Sequence, residues 1–153
     1  MDPAGHWRPP QHIRVVVLGL VVEDNMALLA DVTDDDGSLK GLRPLGGAVE
    51  FGETREQALH REFREETGSD IEITGEWSLF ENIFSHGSAT GHEIIFAAPV
   101  KILDPSFPRK ESHAFMDSIP TLARWHRVDM LDTGNLPVFP AGTGDFDPAG
   151  DRS

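Results

Sequence analysis

The chain has 153 residues, no cysteine, a formal net charge of −13 and 39% hydrophobic residues, including 9 Phe and 3 Trp. That length fits one domain with a sizeable core, and the missing thiols exclude disulfides and thiolate metal sites. The acid excess argues against nucleic acid as a partner, which requires Lys and Arg on phosphates, and suits either plain solubility or phosphates met through a cation.

Residues 1–11 carry Pro3, Pro9, Pro10 and Gly5 and read as a flexible arm. They lack the basic and apolar regions of a signal peptide. No apolar run is long enough for a membrane helix, so a membrane partner is not expected and the cytoplasm is the default location. Residues 13–22 (IRVVVLGLVV) predict a buried strand. Glu23-Asp24-Asn25 predicts a turn, residues 26–32 a second strand, and Asp34 to Gly37 a loop. Residues 42–45 lead into a glycine pair, and residues 48–51 suggest a short strand. Thr54 with Gln57 forms a capping-box pattern for a helix over about 55–67 that stops at Gly68. Residues 71–84 read as a long β-rich stretch bulged near Gly75, paired with a strand over 92–102 across a turn at His86-Gly87-Ser88. Residues 103–118 read as a loop, 122–128 as a strand and 129–131 as the start of a short helix. The single domain is expected over 12–140, and residues 141–153, rich in Gly, Pro and Asp, as a flexible tail.

The helix carries Glu62, Glu65 and Glu66 close together. Measured from Ala58 at about 100° per residue, Glu62 falls at about 40°, Glu66 at about 80° and Glu65 at about 340°. Three carboxylates therefore share one side, beside an apolar stripe of Leu59 and Phe63 that can bury against a sheet. Like charges at this spacing repel. Arg61 and Arg64 relieve part of that, and a hard cation bound by oxygen relieves more.

The spacing around this helix is specific. Gly47 is followed after five residues by Glu53, then after seven by Arg61-Glu62, then by Phe63, Glu65-Glu66 and Gly68. This pattern resembles the signature box of the Nudix hydrolase family at all its fixed positions over residues 47–69. The last apolar position of the box is Ser69, and the common Pro-Gly-Gly start reads Leu45-Gly46-Gly47. Neither departure removes a ligand.

The resemblance implies a mixed α+β fold, an α/β/α sandwich with a mixed sheet and the box helix at the active cleft. It implies Mg²⁺-dependent hydrolysis, with Mn²⁺ as a substitute, of the pyrophosphate bond in a nucleoside diphosphate linked to another moiety. The alternative is a non-catalytic nucleotide-binding regulator of the same fold. The partner is then a small-molecule nucleotide, and family habit suggests a homodimer. Glu62 and Glu66 are the expected metal ligands, Glu65 is a third ligand or a base, and the Gly46 carbonyl completes the site. A side chain at Gly46 or Gly47 is expected to block the backbone from a metal or phosphate. Glu53 and Arg61 are expected to form a supporting ion pair. Arg43 is a candidate for a substrate phosphate. Glu93 and Glu111 are later candidates for the general base, although a surface place suits both. His86 and His92 read more simply as hydrogen-bonded or surface histidines, and Phe80, Phe84 and Trp125 as core. The marks of the ADP-ribose, dinucleoside polyphosphate and NADH subclasses are absent, and the chain has no Tyr.

Overall fold

The structure is a computed structural model, and it describes residues 2–109, 111–117, 119–131 and 138–139. Two sheets and one helix enclose the main core. The first sheet runs in the order β5 (Leu45–Ala48), β1 (Ile13–Leu20), β8 (Ala89–Ile102). Beyond β8, β6 (Ile71–Ile73) and β7 (Ser78–His86) pair with successive stretches of that long strand. β1 is parallel to β8 and antiparallel to β5, so the sheet is mixed. Its central place explains the unbroken apolar run, since Val16, Val17 and Leu18 are all buried.

The second sheet is antiparallel. It is ordered β2 (Val22–Glu23), β3 (Met26–Thr33), β10 (Ile119–Arg127), β9 (His113–Asp117), with β4 (Leu39–Arg43) also on β3. The strand expected over 13–22 therefore divides at buried Val21, where the chain passes from one sheet to the other. Asp24 and Asn25 both have positive φ, 50° and 63°, and make the tight hairpin between β2 and β3.

Helix α1 (Arg55–Thr67) has the expected bounds. Thr54 Oγ1 accepts from the Gln57 N–H, and Gln57 Oε1 accepts from the Thr54 N–H, closing both halves of the capping box. Gly68 ends the helix with φ 73° and donates its N–H to Arg64 O. Ala58, Leu59 and Phe63 are fully buried, in one cluster with Val17, Leu28, Leu45, Val100 and Ala123. Ser69 is buried as well: its hydroxyl donates to Asp70 O and accepts from the Asp104 N–H. A polar residue there ties the helix exit to the segment after β8.

Several expectations are corrected. The short strand lies at 45–48 rather than 48–51, because Glu50 to Gly52 form a turn closed by Glu53 N–H to Glu50 O, with Gly52 at φ 89°. The stretch over 71–84 is two strands separated at residues 74–77. The segment 103–118 contains β9, which pairs with β10 and lengthens it back to Ile119. The mixed α+β class holds. The expected tail over 141–153, and any second helical layer it would supply, lie outside the described residues. In the arm, Arg8 pairs with Asp35 and Asp2, and the Trp7 ring meets His86 edge-on.

Candidate active site

The box helix lays its inner face on the edge of the first sheet. Gly19 of β1 has no room for a side chain, because a Cβ there would sit 2.4 Å from the Phe63 ring. Gly47 of β5 faces Glu62 at equal closeness: a Cβ would lie 2.4–2.5 Å from its carboxylate. Gly46 has φ 151°, and its Cβ would fall 1.9 Å from Val17 O. Contact with the β1 backbone thus requires glycine at 46. A side chain at Gly47 would instead press on the Glu62 carboxylate.

Glu66 sits on the buried face of the helix at 4% exposure. Both its carboxylate oxygens are buried without a hydrogen-bond partner. Burial is the main reason its pKa is pushed up to about 8; Asp117 and Glu62 add to the rise, and Arg43 opposes it. The Gly46 amide gives a further offset from outside good hydrogen-bonding geometry. Glu62 is partly buried, and burial raises its pKa against the hydrogen bond from Arg61. Glu65 points outward, 59% exposed, at 3.4 Å from Arg61, yet close enough to Glu62 to add to that rise.

Arg61 organises the approach. It donates from Nε to Glu53 Oε2 at 2.7 Å, from Nη2 to Glu53 Oε1 and Ala48 O at 2.9 Å each, and from Nη1 to Glu62 Oε1 at 2.9 Å. The guanidinium therefore pins the loop, strand β5 and the helix together. It holds the Glu53 carboxyl at about 2, helped by the Glu50 N–H.

The structure adds residues that were hidden in the segment read as a loop. Asp117, at the end of β9, pairs with Arg43 Nη2 and raises the pKa of both Glu62 and Glu66. His113, on the same face of β9, donates from Nε2 to the Glu66 backbone carbonyl at 2.7 Å and stacks beside Phe115. His113, Phe115 and Asp117 alternate with more exposed neighbours, so all three share one face of β9.

The other candidates fall elsewhere. Glu111 is exposed. Glu93 lies on β8, half-buried against Arg14 at 3.1 Å. His92 faces Glu81 at 3.7 Å, and His86 sits between Trp7 and Lys40. Trp125 packs on the core and donates Nε1–H to Pro108 O.

The NUDIX domain model matches residues 10–143. The chain belongs to the Nudix hydrolase family.

Nudix hydrolases act on phosphorus-containing anhydrides. Among curated relatives, the chain is similar to a nucleoside triphosphatase NudI of Escherichia coli O139:H28, 37% identical over 83 residues. That match covers 52% of this chain and 59% of the relative, so it spans a little over half the relative's length. Among solved structures, a NUDIX hydrolase from Nitrosomonas europaea superposes with a TM-score of 0.54 at 23% identity, covering 82% of this chain and 77% of that one. A MutT protein from Bacillus halodurans gives 0.54 at 20% identity, covering 86% and 77%. These two show the shared fold.

The donor set fits a hard divalent cation. Among the described residues, no three acidic or imidazole groups converge into a closed metal site. An open site on two carboxylates is what Mg²⁺ takes when substrate phosphates and water supply the remaining positions. Glu66, buried with both oxygens lacking a hydrogen-bond partner beside Glu62, fits that demand, since Arg43 and the Gly46 amide only partly offset the cost of ionising it there.

Proposed function

We propose that this Nudix protein is a Mg²⁺-dependent pyrophosphohydrolase, with Mn²⁺ as a substitute, for a nucleoside diphosphate linked to another moiety. The buried, unpartnered Glu66 carboxylate carries the reading. Glu62 and Glu66 hold the metal, with the Gly46 carbonyl as a further ligand. When bound, the metal neutralises phosphate oxygens and acidifies coordinated water. Arg43 of β4, which acts on Glu66 and pairs with Asp117, takes a substrate phosphate in exchange for Asp117. Glu65, exposed at the rim, and Asp117 are the two carboxylates placed to accept the proton of an attacking water. Arg61 and Glu53 position Glu62 without touching substrate.

The relative named a nucleoside triphosphatase puts nucleoside triphosphates first among candidate substrates. The test is a Mg²⁺-dependent phosphate and pyrophosphate release screen over nucleoside triphosphates, modified nucleotides, ADP-ribose and nucleotide sugars. Turnover that collapses in Glu62→Gln and Glu66→Gln is expected. Turnover unchanged from the wild type in both variants refutes the assignment.

A further inference from the structure

The face of the first sheet opposite α1 carries a polar row that the hydrolytic site does not use. Asn82, Glu93 and Arg14 lie side by side across β7, β8 and β1, in register. Arg14 Nη1 donates to Glu93 Oε2 at 3.1 Å, and the two side chains are 25% and 15% exposed. Burial raises the Glu93 pKa, and Arg14, Asn82 and Arg43 partly offset it.

Aromatic rows flank this one. On one side Phe80 pairs with Ile95 and packs on buried Val16 and Leu18. On the other Phe84 lies over Gly91, where any Cβ would come within 2.3–2.9 Å of its ring. A narrow polar row between apolar walls is the composition of a site for a flat ligand with a few hydrogen-bonding groups on its edge. As a mere stability element the row is poorly suited, because a partly buried ion pair on an apolar face returns little beyond its desolvation cost.

The row is also within reach of the carboxylates. Arg43 acts electrostatically on both Glu66 and Glu93. β8 is two strands from β5, about 10 Å at ordinary strand spacing, and Glu93 pairs with Arg14, three residues along β1 from the Val17 partner of Gly47, so the separation is about 14 Å. A nucleotide with its phosphates at the β5 edge can span that distance.

We propose that Glu93, held by Arg14, is a specificity-determining residue that accepts a hydrogen bond from the exocyclic amino group of the substrate's nucleobase. The proposal rests on the nucleotide reading above and names the base chemistry it selects. Amino-bearing bases are favoured, and bases with an oxo group at the same position offer the carboxylate no donor of their own.

The test compares bases differing at that one group: cytidine against uridine 5′-monophosphate, and adenosine against inosine 5′-monophosphate. Affinities are read by calorimetry at pH 8 without metal. A hydrogen bond to a charged acceptor gives the wild type about a ten-fold preference for the amino base of one pair or both. Glu93→Gln should bring that ratio close to one. The double variant Arg14→Met, Glu93→Met removes both charges together, keeps the apolar volume and should also abolish it. Equal affinities for both members of each pair in the wild type, or an unchanged ratio in both folded variants, overturns the proposal. Mg²⁺-dependent turnover of the corresponding triphosphates is measured in parallel. No turnover with a preserved binding preference sinks the hydrolase reading and leaves the Glu93 assignment standing.

Discussion

Removing the charge of Glu66 should stabilise the metal-free protein at neutral pH, the reverse of what most core substitutions do. The native carboxyl holds its proton to about 8, whereas its ordinary value is 4.5. Between those values the folded chain binds a proton that the unfolded chain has released, so stability falls as pH rises. At 1.36 kcal/mol per unit, the loss from pH 4.5 to pH 7 is about 3 kcal/mol. For a domain of this size that is a drop of about 6–12 °C in Tm. Glu62 and Glu93 shift in the same direction through burial, and His86 and His126 shift down through burial. The informative quantity is therefore the difference between wild type and Glu66→Gln. Urea denaturation in EDTA at pH 5, 6, 7 and 8 gives it. The wild type should lose stability more steeply than the variant, by about 3 kcal/mol over the range. Saturating Mg²⁺ should restore the wild type at pH 7 and leave the variant nearly unchanged, since a ligand that binds only the native state stabilises it. Parallel pH curves in EDTA would refute the burial argument for Glu66.

Arg61→Lys should behave almost like Arg61→Ala, because an ammonium cannot replace a fork that bonds Glu53 twice while reaching Ala48 O and Glu62. Both should lower Tm and turnover, and full activity in Arg61→Lys would contradict the clamp. Gly47→Ala pushes on the end of the flexible Glu62 side chain, so about 1 kcal/mol or less of stability should be lost, while Mg²⁺ affinity by calorimetry weakens clearly. Gly46→Ala meets backbone at Val17 O instead and should unfold or severely destabilise the domain, as thermal melting will show. Ser69→Leu, which restores the apolar position of the box, strands the Asp104 N–H and should cost about 1–3 kcal/mol in denaturant titration.

The helix was legible because its signals are local. Thr54, Gln57 and Gly68 set its ends through hydrogen bonds that span four residues or fewer, and Leu59 and Phe63 set its buried face. β1 and β3 were legible from apolar runs bounded by a turn. What the sequence hid depended on distant partners. β9 is short, lies among prolines, and gains its pairing only from β10. Asp117 reaches the site through that pairing and through Arg43, and no local pattern announces either contact. Helical angles already set Glu66 beside the apolar stripe and Glu65 away from it, and the packed sheet turns that difference into a buried Glu66 and an exposed Glu65.

The parallel pairing of β1 with β8 has a consequence for how the molecule comes into being. Arg14 and Glu93 stand 79 positions apart, and the strand at the middle of the first sheet waits for that partner. Such non-local pairing slows folding. On the ribosome, β1, β5 and the box helix emerge well before β8, so the strand against which Gly46 packs is then unpaired along its other edge. A cation therefore finds no formed carboxylate site on the nascent chain until the later strand arrives. Loading of the proposed metal site is expected late in synthesis, and a truncated chain ending before β8 should be blind to Mg²⁺ in any folding assay.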